Sequence, residues 1–288
     1  MRVAIIGAFR YDCSLELFLA KGFETLDCEV YRDQGVVGGM DLSVAVKAYW
    51  INPDQLSGKR ILWWTDHTSR YPEFAELAPK YDLAYTIHDE NLQKPGGGEY
   101  PFLPCGYDPA SCRRIRSRKV WDAVFIGTYR PEREWIRDEL LKLRDRGYKV
   151  GLFGSGWPDH HNLECGGRID QNARRAIVAS SKVVLNWMYQ PMPGQPGPRD
   201  TVNMAFFENL AMGAFMMADG SEWTRSNGFE PCRSYVPLAG PPGTAEWVEK
   251  WLKRPLRRAY IAWQGREAVR SHTYASRALQ MLKDAGLR

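Results

Sequence analysis

The chain has 288 residues, 44% hydrophobic and 25% charged, which suits one large or two ordinary folded domains and excludes a disordered or fibrous chain. Its net charge of +5 is unevenly spread: residues 1–112 carry 10 Lys/Arg against 16 Asp/Glu, and residues 250–288 carry 10 against 2. No apolar run approaches a membrane span.

The N-terminal run Met1-Arg-Val-Ala-Ile-Ile-Gly-Ala-Phe reads as a first strand rather than a signal peptide. In chain order, strands are predicted at 2–8, 28–32, 60–65, 82–87 and 101–104, then at 121–127, 148–153, 182–187 and 214–218. Helices are predicted at 14–26, 71–79, 131–146, 170–180, 201–212, 244–253 and, with breaks, 256–285. Strands alternating with helices predict an α/β protein whose parallel sheets are covered on both faces. The Pro/Gly-rich stretch 190–198 reads as a loop. A boundary near 107–120 divides the chain into an N-terminal lobe (1–112), a basic linker (113–120), a C-terminal lobe (121–270) and a last helix (271–288) able to pack back on the first lobe. Such lobes hold ligands at the carboxyl ends of their strands. Six scattered cysteines with no C-x-x-C pair read as reduced packing residues of a cytoplasmic protein.

Most of the candidate chemistry follows predicted strands. In Gly127-Thr-Tyr129-Arg130-Pro131-Glu-Arg133 a strand ends, Pro131 suits a first helical position, and two arginines join free backbone N–H groups as a diphosphate site. The bland reading is that Glu132 and Glu134 neutralise both arginines. Gly154-Ser155-Gly156-Trp157 permits close backbone approach to a ligand, with Trp157 as a wall. Asp66-His67 after the strand 60–65 is a candidate general base. Asp159-His160-His161 and Glu164-Cys165 have metal-ligand types, but adjacent histidines seldom share one ion, so no metal site is assigned. The basic run Arg113, Arg114, Arg116, Arg118, Lys119 is either a solvated linker or a polyanion contact.

The helix 201–212 is apolar nearly all round yet carries Glu208 at its middle. Thr201, Met204, Ala205, Ala211 and Met212 share its face, and no lysine or arginine lies within one turn. An ionised carboxylate buried there needs a distant protein partner or a ligand. Asp200, eight positions earlier, is either an N-cap or a second functional carboxylate.

Val124-Phe-Ile-Gly127, Arg133, Leu140-Leu, then Val150-Gly-Leu-Phe-Gly154-Ser-Gly-Trp157, Ser181-Lys-Val-Val-Leu-Asn186, Phe207-Glu208-Asn-Leu-Ala-Met-Gly213 and His272-Thr-Tyr274-Ala-Ser-Arg277 occur in the order seen in CgeB-like, spore-maturation type glycosyltransferases. The chain resembles that family over about 120–280, and more loosely through Tyr81-Asp82 and Leu103-Pro104-Cys-Gly106-Tyr-Asp108. The resemblance implies a GT-B fold: two Rossmann-like lobes with parallel sheets facing a central cleft, an acceptor-side N-terminal lobe and a nucleotide-sugar in the C-terminal lobe. It implies that Glu208 bonds the donor ribose, that Asp200 faces the transferred sugar, and that Arg130 or Arg133 holds the diphosphate with Gly127 and Tyr129. Gly154, Ser155, Gly156 and Trp157 would border the base. Family members often have arginine where this chain has Ala205, which shifts weight to Arg130, Arg133 and Arg199.

The expected activity is metal-independent transfer from a nucleotide-diphosphate sugar, UDP-linked, to an acceptor hydroxyl, with no cofactor and no obligate protein partner. Asp66, His67 or Asp12 would serve as base if the reaction inverts configuration. The basic segments suggest a hydroxymethylated base in DNA as acceptor; a saccharide, protein or small molecule is the other option. The rival reading is a non-catalytic nucleotide-sugar or polyanion binding protein. A dehydrogenase is disfavoured, because Gly7-Ala-Phe-Arg-Tyr-Asp lacks G-x-G-x-x-G.

Overall fold

The structure, a computed structural model, describes residues 1–9, 14–33, 38–65, 73–87, 99–158, 163–188, 202–238 and 240–288. In chain order its elements are β1 (Arg2–Ile6), α1 (Leu15–Glu24), β2 (Glu29–Asp33), β3 (Leu42–Val46), β4 (Lys59–Trp64), α2 (Glu73–Leu77), β5 (Leu83–Thr86), β6 (Trp121–Ile126), α3 (Glu134–Asp145), β7 (Val150–Phe153), β8 (Glu164–Gly166), α4 (Gln171–Ser180), β9 (Ser181–Asn186), α5 (Met204–Ala211), β10 (Met216–Ala218), α6 (Glu222–Ser226), β11 (Val236–Pro237), α7 (Thr244–Leu252), α8 (Pro255–Ala268) and α9 (Tyr274–Asp284). They form two compact units, one of Met1–Asp108, Pro198–Met204 and Ser271–Arg288, the other of Pro109–Gly197 and Ala205–Arg270. Among the described residues no helix is long and apolar enough to cross a membrane.

The first unit has a five-stranded parallel sheet in the order β2-β1-β3-β4-β5. Its inner strands read as apolar runs because both faces are covered: Val3–Ile6, Val44–Val46 and Ile61–Trp64 are all buried. Two expectations need correction. β3 lies in the middle of the sheet although no strand is predicted there; Ser43 interrupts its apolar run, and the hydroxyl is satisfied by the Ser57 carbonyl at 2.8 Å. Conversely, 101–104 is no strand; Phe102 makes only an isolated bridge to Thr86.

Helices α1 and α9 pack together on this unit. They approach so closely that a Cβ on Gly22 would lie 2.6 Å from the Tyr274 backbone. Ser14 and Thr273 cap the two helices by accepting from Leu17 and Ser276 amides, and Tyr85 Oη donates to Asp284 at 2.7 Å. Arg277, 9% exposed, fastens α9 by donating to the carbonyls of Pro104 at 2.9 Å and Cys105 at 3.2 Å. Its Nη2 lies 3.0 Å from His272 Nδ1, so His272 accepts there and is neutral. The motifs 103–108 and 272–277 therefore serve as the two halves of one clamp.

The second unit has a six-stranded parallel sheet in the order β11-β10-β9-β6-β7-β8. Within the unit this is the 3-2-1-4-5-6 order of a doubly wound sheet, reversing direction between β6 and β9. Ile136, Leu140 and Leu143 of α3 and Val248 and Trp251 of α7 build the core with Val183, Leu185 and Phe125. α5 ends where Gly213 turns left-handed at φ +78° and Ala214 N bonds the Asn209 carbonyl, a glycine stop.

Burial, then the charge of Arg277, lowers the His272 pKa from 6.5 to about 4. The unfolded chain takes up the proton first as pH falls, so the stabilisation is complete above about pH 6.5 and is lost towards pH 4, a change of up to about 3 kcal/mol. Urea unfolding between pH 7 and 4.5 should therefore show a smaller loss of stability in His272→Asn, which keeps an acceptor without a titrating ring. Equal acid sensitivity in the two proteins contradicts this assignment.

Candidate functional site

In a doubly wound sheet the crevice opens at the carboxyl ends of the strands flanking the reversal. Here those ends are Ile126 of β6 and Asn186 of β9, with β7 beside β6. The turn after β6 and the turn after β7 are tied into one piece. Gly127 N donates to Phe153 O at 2.8 Å and Tyr129 N to Ser155 O at 2.8 Å. Trp157 Nε1 donates back to Gly127 O at 2.7 Å. The Trp157 ring packs edge-on against Tyr129 at 5.2 Å and Phe125 at 6.1 Å. Gly154 makes this possible: its φ is +128°, and a Cβ there would lie 2.1 Å from Gly127 O.

The two arginines differ. Arg133 is 8% exposed; its Nη1 donates to Thr128 O at 2.9 Å, and its guanidinium lies over Phe125. It stiffens the turn from inside. Arg130 is partly exposed, and its backbone is extended (φ −148°, ψ 146°) where Pro131 starts a 3-10 turn leading into α3. In the bland reading Glu132 and Glu134 neutralise both arginines, but the Glu134 carboxylate pairs with Arg137 at 2.6 Å. Among the described residues, only Arg133 of the two is committed to such an internal contact.

Glu208 is fully buried, and the structure supplies protein partners for it. Gln171 Nε2 donates to Oε1 at 3.1 Å, and Arg174 Nε lies 3.2 Å from Oε2. Arg174 also donates to Asn209 Oδ1 at 3.1 Å. The start of α4 is thereby pinned to α5. Of the two kinds of partner the sequence calls for, the structure shows the distant protein one: these residues lie 34 to 37 positions upstream, beyond the reach of any helical spacing argument.

The structure thus brings together Gly127, Tyr129, Arg130, Arg133, Gly154, Ser155, Gly156 and Trp157 at the carboxyl ends of β6 and β7. Asp12, Asp66, His67, Asp159, His160, His161, Arg199 and Asp200 lie outside the described residues. Among the described residues no cluster of His, Cys, Asp and Glu is placed to hold a metal ion. One residue the sequence reading misses is Asp219, which directly follows β10 and accepts from Met188 N at 2.6 Å, joining the ends of β9 and β10. The strand-end rule that singles out Gly127 applies to it equally.

Residues 130–283 match the family described as glycosyl transferase-like. The chain belongs to that family. Its two-lobed α/β architecture is that of GT-B glycosyltransferases, as expected, and this glycosyltransferase is similar along its whole length to several solved structures. AviGT4, a glycosyltransferase involved in avilamycin A biosynthesis, shares 17% identity at a TM-score of 0.67, over 99% of this chain and 97% of that one. An alpha-glucosyltransferase solved with UDP and a 13-mer DNA containing an HMU base shares 10% at 0.67, over 100% of both chains. Anabaena Alr3699/HepE, solved with UDP and glucose, shares 11% at 0.70, over 99% of both. At such identities the likeness is one of fold. No curated protein sequence matches.

Close approach to Gly127 O, and not only the sign of φ, fixes glycine at 154. Gly154→Ala should cost this glycosyltransferase about 3 kcal/mol or more in urea unfolding. Gly147→Ala, whose φ is +87° but whose Cβ would meet nothing within 4 Å, should cost only about 1–2 kcal/mol. Equal losses contradict the assignment.

Proposed function

We propose that this protein transfers a sugar from a UDP-linked donor to an acceptor hydroxyl without a metal ion, as the CgeB-like resemblance implies. The observation that carries the reading is the clipped pair of turns at the strand-order reversal of the second unit. A diphosphate set there meets the start of a helical segment and the side chain of Arg130, an arrangement suited to stabilising a leaving diphosphate. Tyr129 and Trp157 offer aromatic walls to the nucleoside. Burial and its α4 partners favour a positioning role for Glu208 over direct ribose contact, through the placing of Arg174 and α4. Asp200 and Arg199 keep the sugar- and phosphate-facing roles implied by resemblance, and Asp66 or His67 the role of base.

For the acceptor, a hydroxymethylated base in DNA is the reading we favour. Its supports are the basic segments of the chain and the likeness in fold to an alpha-glucosyltransferase solved with UDP and DNA containing an HMU base.

Calorimetric titration with UDP provides the test. Arg130→Ala should weaken binding about 10- to 100-fold, the worth of a charge-assisted contact, and slow hydrolysis of UDP-glucose should persist in EDTA. Unchanged UDP affinity in Arg130→Ala contradicts the donor site.

A further inference from the structure

At the opposite, amino-terminal ends of the same strands the second unit contains a cavity of about 250 Å³. Lys119 lies just before β6, Lys182 is the second residue of β9, and Phe215 precedes β10. Arg114, Arg258 and Arg266 complete a lining that holds five cations. Among the described residues the one carboxylate in ion-pair range of any of them is Asp122, 2.6 Å from Lys182.

Two of the five are fixed by backbone carbonyls at helix ends. Lys119 donates to Ala179 O at 2.9 Å and Ser181 O at 2.6 Å, and Arg258 to Leu252 O at 2.6 Å. Burial, with Arg114 and Arg258 nearby, lowers the Lys119 pKa. Arg114 and Arg266 have no acceptor among the described residues, and the Arg114 stem crosses Gly213, where a Cβ would meet its Cδ at 3.2 Å. Cations gathered this closely repel one another until an anion joins them.

The outer face of α8 continues the site. Its inner face is accounted for by Ile261, fully buried, and by Gly265, whose Cβ would lie 2.3 Å from Ser234 O. Leu256, Tyr260 and Trp263 point outward, 86%, 44% and 54% exposed; Trp263 also lines the cavity, and Arg257 sits over Tyr260. Exposed Arg113, Arg116 and Arg118 extend the positive surface beyond the cavity. A lone phosphate needs only the cavity, and a flat lipid surface does not enter a concave one. An extended polyanion carrying flat rings fits both the cationic track and the aromatic face.

We propose that this pocket and the outer face of α8 bind a nucleic-acid strand, with a backbone phosphate held by Arg114 and Arg266 and an unpaired base on Trp263. The site lies at the far ends of the strands from the UDP turn, so it serves as an anchor rather than as part of the transfer chemistry, and it stands whether or not the acceptor is DNA.

Fluorescence anisotropy of the intact protein with a labelled single-stranded 20-mer, at 50 and 200 mM NaCl, tests this. The wild type should bind with steep salt dependence. Arg114→Ala with Arg266→Ala should weaken binding tenfold or more and reduce the salt slope by about 1.4. Trp263→Ala, at an exposed side chain, should weaken it roughly tenfold. UDP affinity and melting temperature should be unchanged in all variants, which separates this site from the donor site. Wild-type oligonucleotide affinity in the folded variants overturns the proposal. So does binding of pyrophosphate or phosphatidylserine vesicles by a wild type that leaves the oligonucleotide free.

Discussion

The second unit is organised by the position of β6, hydrogen-bonded to β7 on one side and β9 on the other. Because the chain proceeds outward from β6 in both directions, the connections at its carboxyl end diverge and leave an opening there. The turns at that end form a single hydrogen-bonded piece. The amides of Gly127 and Tyr129 reach carbonyls of the β7 side, and the Trp157 indole returns a third bond. The whole construction depends on the 154 backbone passing against the Gly127 carbonyl, at a distance no side chain permits. A site preorganised in this way loses little freedom on binding a ligand.

The two ends of this sheet present different chemistry. At the carboxyl end the arginines differ: Arg133 is turned inward onto a carbonyl and a ring, whereas Arg130 is partly exposed. At the amino end five cations line one cavity with little acidic compensation. The Glu208–Arg174–Asn209 clasp fixes the start of α4 against α5. A buried ion pair adds little net stability, but losing one member strands the other charge, so such a pair specifies how two helices meet.

The strands that position the candidate site were legible because they are continuous apolar runs covered on both faces, as in Val124–Ile126 and Val183–Leu185. β3 escaped notice because Ser43 breaks its run, and β11 because two residues carry no period. Spacing flagged Glu208 as needing a partner but had no means of reaching Gln171 and Arg174, which become neighbours only through tertiary packing. Nor does spacing distinguish Arg130 from Arg133, since their difference is one of backbone direction at the start of a helical segment. The 272–277 motif was recognisable by resemblance alone; its physical role as a clamp on residues 104–107 required the fold.

The central claim is that the nucleotide sits on the clipped turns after β6 and β7. Hydrogen exchange on the full chain with and without UDP tests it most directly. The account predicts added protection of the amides in Gly127–Arg133 and Gly154–Trp157, with none at Lys119 or Lys182 at the opposite ends of the strands. Protection confined to those opposite ends, or to the first unit, would contradict it.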